Sequence, residues 1–222
     1  MAAHKPRAFW GDLGLWREGI VAVEADEMAE PQVHAGADRA DALVVPVGGG
    51  SLAVEVRCLG APHPSSKDQK GWRATYAAMR AALRTRALRT DPLVWVADDT
   101  TLRTIDAVSP NLRTSAAHGL ANGDVVLIRR AGAGLYSLGV VTVVDTDEFN
   151  VAAVTGAPAL HAIAAADQVY LVEQYWLPMA YRSLGPAQPR GDGDWYASEL
   201  VYSFRGSGRY TYSRTAASTV GS

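Results

Sequence analysis

Short runs in which apolar and polar residues alternate, each cut off by glycine or proline, recur through most of this chain and restrict it to a strand-rich fold. The clearest is DALVVPVGGGSLAVEVRCLG, where Leu43, Val45 and Val47 alternate before Gly48-Gly49-Gly50, and Leu52, Val54 and Val56 alternate after it. Side chains on a strand point to opposite faces in turn, so a period of two buries one face and leaves the other free. Two such runs joined by glycines predict a β-hairpin. Glu55 and Arg57 belong to the other face, which is either solvated or part of an interface. Cys58, the only cysteine, continues the apolar series and reads as a buried thiol, because a single cysteine cannot form an internal disulfide.

One segment has a helical period instead. Ser66 and Gln69 have capping-box spacing, in which side chains satisfy the free backbone donors at a helix start. Trp72, Tyr76, Met79 and Leu83 then recur at spacings of four, three and four, which predicts a helix to about Arg86 with these residues facing a core. Arg73, Arg80 and Arg84 fall on another face. After Asp91-Pro92 the run Leu93 to Val96 is short and wholly apolar, as a buried strand would be.

A second strand set begins near Val108. Turns at His118-Gly119 and Asn122-Gly123-Asp124 precede the strand Val125 to Ile128. The runs LGVVTVVD, Phe149 to Val151 and Gln168 to Glu173 follow. Four or five short strands in about 65 residues suggest a small closed barrel or sandwich, since closure hides strand edges. Ten of the eighteen aromatic residues then fall between Tyr170 and Tyr212, where ASELVYSF and RYTYS again alternate. These strands are expected to return and pack on the first domain. The reading is therefore a discontinuous domain of residues 1–107 and 173–222 with an inserted module of 108–172.

With 48% hydrophobic and 20% charged residues, the chain has the composition of a folded protein that needs no metal or cofactor. The N-terminal sequence reaches charges before any signal-peptide core, and nothing approaches the roughly 18 apolar residues of a membrane span. A net charge of −2 argues against a general or sequence-specific nucleic-acid binder. That sum hides a local asymmetry. Between Gly11 and Asp41 eight acids, including Glu24, Asp26 and Glu27, face only Arg17 and Arg39, a balance of −6. Between Lys67 and Thr90 seven basic residues, including Arg73, Arg80 and Arg84, face only Asp68, a balance of +6. The two stretches read either as separate solvated faces or as complementary surfaces that meet within a subunit or between neighbours.

Chemistry is hard to find. His4, His34, His63, His118 and His161 are scattered, and there is no HExxH, nucleophile elbow or phosphate-binding loop. Gly48-Gly49-Gly50 joins strand to strand and so lacks the helix N-terminus that attracts phosphate. Asp145, Asp147 and Glu148, and Asp192 with Asp194, lack calcium-loop spacing and read as solvated turns, as does Asp98-Asp99. No catalytic, cofactor or metal residue is expected, and the chain reads as a non-enzymatic assembly protein.

One stretch carries a family resemblance. TSAAHGLANGDVVLIRR, followed by GVVTVVDTDEFNV, resembles a small β-module recurrent in bacteriophage structural proteins, with the pattern T-x-x-x-HGL-x-x-GD-x-V-x-I, a valine-rich strand, then D-x-F-x-V. It covers residues 112–155. The order of elements around it is similar to that of the tail-ring domain of siphophage distal tail proteins and tail-tube subunits. The resemblance implies a mainly β chain with one principal helix: a β-sandwich or split-barrel tail-ring domain carrying an OB-like barrel. It also implies a homohexameric ring in the virion tail, assembled in the host cytoplasm. Such a ring joins the tail tube to the baseplate hub or tip, and DNA passes through it. A tail-tube subunit, and an accessory protein that binds carbohydrate through exposed aromatics, are the alternatives. In the ring, Glu24, Asp26 and Glu27 are expected to meet Arg73, Arg80 and Arg84 across subunits. His118, Gly119, Gly123 and Asp124 are expected to serve backbone geometry.

Overall fold

The structure, a computed structural model, describes residues 8–15, 20–28, 31–34, 43–46, 51–59, 79–97, 103–130, 132–184, 188–189 and 198–214. In chain order the strands are β1 (Ala8–Trp10), β2 (Leu13–Gly14), β3 (Ile20–Met28), β4 (Pro31–His34), β5 (Leu43–Pro46), β6 (Ser51–Leu59), β7 (Thr90–Val96) and β8 (Arg103–Ala107). They continue as β9 (Leu112–Thr114), β10 (Val125–Arg130), β11 (Leu135–Val143), β12 (Glu148–Ala153), β13 (Gln168–Leu184), β14 (Gln188–Pro189) and β15 (Ser198–Ser213). A short helix occupies 79–84. The protein is mainly β, with antiparallel pairing, as the alternation predicts. No helix among the described residues is long and apolar enough to cross a membrane.

The chain divides into two compact units, one of Met1–Gly19, Asp91–Pro178 and Arg209–Ser222, the other of Ile20–Thr90 and Met179–Gly208. In the first, six strands pair in a closed cycle. β10 pairs with β11, β11 with β12, β12 with β9, β9 with β8, β8 with β13, and β13 returns to β10. The apolar run Val125 to Ile128 explains how one strand serves two cores. Val126 and Ile128 join Ile105, Leu112, Leu120, Val141, Phe149, Val169 and Leu171 in one cluster. Val125 and Leu127, at the opposite parity, join Phe9, Val94, Val96, Leu138, Val172, Tyr175 and Leu177 in another. A strand buried on both faces reads as continuous rather than alternating hydrophobicity. β7 supplies Val94 and Val96 and pairs with β1. The stretch expected as an insertion, 108–172, lies within this unit, whose cycle also uses β8 and whose cores also use Phe9, Val94 and Tyr175.

In the second unit β15, β6 and β3 lie side by side, with β3 at the end of the run. Leu52, Val54 and Val56 of β6 are buried, with Tyr202 and Phe204 of β15 at the matching register, Tyr202↔Val56 and Phe204↔Val54. Tyr181 of β13 meets Phe204 edge to face, with ring centroids 6.2 Å apart. The hairpin expected across Gly48 to Gly50 is not formed. β5 pairs with β4, and β6 has one edge on β3 and the other on β15, so neither edge is left for β5. Gly48 to Gly50 themselves lie outside the described residues, as do Trp72 and Tyr76. The helix buries Leu83 and exposes Arg80 and Arg84, in keeping with the stripe. It closes where backbone bonds shorten to Arg86 N–H on Leu83 O and Ala87 N–H on Arg84 O, while the Thr85 hydroxyl donates to Ala82 O.

Candidate functional site

The segment that carries the sequence motif is a brace for its own turn. The Leu120 N–H donates to His118 Nδ1 at 2.9 Å, so that nitrogen is an acceptor and the ring proton sits on Nε2, which donates to Asp145 O at 3.0 Å. The His118 ring meets Phe149 edge to face at 5.2 Å, and the His118 carbonyl accepts from Arg103 Nε. The Thr114 hydroxyl donates to Ala116 O at 2.7 Å. Gly119 and Gly123 take φ of +59° and +84°, a region side chains disfavour. Asp124 Oδ2 accepts the Ala121 N–H at 2.8 Å, closing the second turn. Each motif residue thus has a conformational task, as expected for His118, Gly119, Gly123 and Asp124.

A second constellation was not visible in the sequence. The Ser137 hydroxyl donates to His161 Nδ1 at 2.6 Å and accepts the His161 backbone N–H at 2.8 Å. His161 Nε2 donates to Asp167 Oδ2 at 3.1 Å. Asp167 also receives Arg130 Nε at 2.8 Å and the Ala164 N–H at 2.9 Å. Burial alone would raise the Asp167 carboxyl. The hydrogen bonds from Arg130, Ala164 and His161, with the Arg130 charge, outweigh it and hold the group below the usual carboxylate range. The serine, histidine and aspartate have the order of a nucleophile relay, but a nucleophile must reach its substrate, and Ser137 is only 2% exposed with its oxygen engaged twice. What the arrangement does is tie the segment between β12 and β13 to β10 and β11. Nothing in the sequence spacing announces it, because the four residues are brought together only by the strand register.

A cleft of about 500 Å³ lies among Val125, Val140, Tyr175, Arg209, Tyr210 and Tyr212. Tyr175 and Tyr212 stack at 5.6 Å with an interplanar angle of 12°. Tyr210 lies against Gly156, where any Cβ would overlap its ring, and the Arg209 guanidinium sits 5.6 Å from its centroid. Burial, followed by the neighbouring Tyr212, raises the Tyr175 phenol; burial and then the Asp124 charge raise that of Tyr212. One face of each of the Tyr175 and Tyr212 rings is thus taken up by their mutual stacking, and the Tyr210 ring packs on Gly156.

The charged residues proposed for an interface fall in the second unit. Arg80 and Arg84 are exposed, one helical turn apart, and neither has an acidic partner among the described residues. Glu24, Asp26 and Glu27 lie on β3, where the register sets Glu24 opposite Glu55, Asp26 opposite Ala53 and Glu27 opposite the buried Leu52. Glu27 is thus at the opposite parity from the other two. Arg73 lies outside the described residues. Glu55, partly buried and near the Ser203 hydroxyl at 3.5 Å, joins the acidic set because β6 pairs with β3. Among the described residues, no three His, Cys, Asp or Glu side chains converge to hold a metal. Asp192 and Asp194 lie outside those residues.

No protein-family model matches the chain, and the search of curated proteins found no match.

Proposed function

We propose that this chain is a structural subunit of a bacteriophage tail that forms a ring at its distal end and joins the tail tube to the tail tip. The observation that carries the reading is the closed cycle of six antiparallel strands built around the His118 turn, in the segment that resembles the phage β-module. We take that cycle as the OB-like barrel and the β3, β6 and β15 sheet as part of a tail-ring domain. The protein then works in the virion tail, after assembly in the host cytoplasm, by contact with its own copies and with tube and hub proteins. Fold analogy alone does not fix a function, so the test must be assembly. Negative-stain electron microscopy of the purified protein should reveal closed rings of uniform size. Extended tubes would instead assign it to the tail tube, and monomers at all concentrations would overturn the ring.

A further inference from the structure

We propose that the cleft beside Tyr175, Tyr210 and Tyr212 binds an oligosaccharide through a pyranose ring that bears one carboxylate, with Arg209 as the counter-charge. The cleft lies wholly within the first compact unit, so one chain is sufficient and the site does not depend on the ring reading. Its volume, about 500 Å³, is that of a small-molecule site. Its aromatic wall is in place before any ligand arrives. Tyr210 and Tyr212 stand two positions apart on β15 and so share a face, and both are partly exposed. Tyr212 is held by its stack on the buried Tyr175, and Tyr210 by its seat on Gly156. Fixed tyrosines offer apolar area and a hydroxyl at small entropic cost.

The lining selects among ligands by charge. Among the described residues that line the cleft, Arg209 alone is charged. It is exposed, lies against the Tyr210 ring, and has no acidic partner among the described residues. A cationic ligand would be repelled there. A single-stranded nucleic acid, with a phosphate at every step, needs a groove of several cations, and the nearby Arg214 is already paired with Asp124 at 3.4 Å. Asp124 and Glu173 also bear electrostatically on Tyr212, so a dianionic phosphate would meet two acids for one free guanidinium. One carboxylate matches the guanidinium fork in charge and shape. The other polar groups are hydroxyls. Thr155 and Thr211 are exposed, and burial raises the Tyr175 and Tyr212 phenols, which keeps both protonated at neutral pH. Each hydroxyl both donates and accepts, which suits a ligand made of hydroxyls. Val125, Val140 and Val154 complete the wall with apolar surface. A carboxylated pyranose combines the three requirements: hydroxyls on its rim, C–H groups on its faces and a single negative charge.

The test is isothermal titration calorimetry of the full chain with two probes, a trigalacturonate and a glucuronate-containing hyaluronan tetrasaccharide. At least one should bind saturably, with a dissociation constant of about 1 mM or lower. Arg209→Ala, at an exposed position, should weaken that binding about tenfold with an unchanged circular dichroism spectrum. Methyl esterification of the sugar removes its charge and keeps its shape, so it should cost the unaltered chain the same factor and cost the Arg209→Ala variant nothing further. Tyr210→Ala should weaken the acid and the ester alike, whereas Arg113→Ala, at the half-exposed pair with Asp106, should change neither. Absence of binding by both acidic sugars overturns the proposal. Equal affinity for acid and ester, or full affinity in Arg209→Ala, overturns the assignment of the carboxylate to Arg209. Tighter binding of an oligothymidylate than of either sugar would make the cleft a nucleic-acid site instead. A chain that binds the sugar yet stays monomeric overturns the ring and leaves this site standing.

Discussion

Asp167 shows what one buried carboxylate can control. Its side chain is almost wholly enclosed and gathers Arg130, His161 and the Ala164 N–H around it. Because its folded value lies below the unfolded one, the stability it contributes is complete above the ordinary carboxylate range and is lost as pH falls through the folded value. Asp167→Asn should therefore lower stability at neutral pH by about 2–3 kcal/mol, the scale of hydrogen bonds to a charged group, and flatten the acid side of a melting-temperature profile. Asp106→Asn is the control. The Asp106 pair with Arg113 spans 3.3 Å but is half exposed, and its loss should cost less than about 1 kcal/mol. Equal losses at both positions would mean that the brace carries no special weight. At this scale the turn residues were legible and the brace was not. His118, Gly119 and Gly123 are local in sequence, whereas Ser137, His161 and Asp167 meet only after β10, β11 and β13 find their register.

Elements were legible by period and illegible by neighbour. Leu52, Val54 and Val56 alternate and are buried, yet the strand they define pairs with β3 and β15 rather than with the nearer β5. Alternation specifies which face is apolar and says nothing about which edge finds which partner. The helix is the sharper case, since its period fixes the face directly. Leu83 is completely buried and Arg84 beside it is exposed. Leu83→Ala should cost about 2–5 kcal/mol in chemical denaturation, from lost burial and the cavity left behind. Arg84→Ala should stay within about 0.5 kcal/mol. Similar values at the two positions would show that Leu83 does not anchor the helix.

For the whole molecule, the reach of the closed cycle decides what can be removed. The sequence placed the boundaries of the second strand set at 108 and 172 from where its turns begin and its last run ends. The cycle nevertheless recruits Arg103–Ala107, and Val125, Leu127 and Leu138 share a cluster with Phe9, Val94 and Leu177. No local pattern betrays such sharing, because Phe9 and Val94 look like ordinary strand residues. Replacing 108–172 by a short glycine-serine linker should therefore abolish soluble, cooperatively unfolding protein; a folded product by circular dichroism would show that the clusters are separable. The order in which the cycle is made has a further consequence during synthesis. β8 to β12 leave the ribosome first, and β10 gains its second neighbour only when Gln168–Leu171 of β13 arrive. Until then the nascent chain presents an open strand edge beside the apolar set of Val126 and Ile128. A chaperone that grips extended apolar segments would meet its target in that interval and lose it once β13 docks.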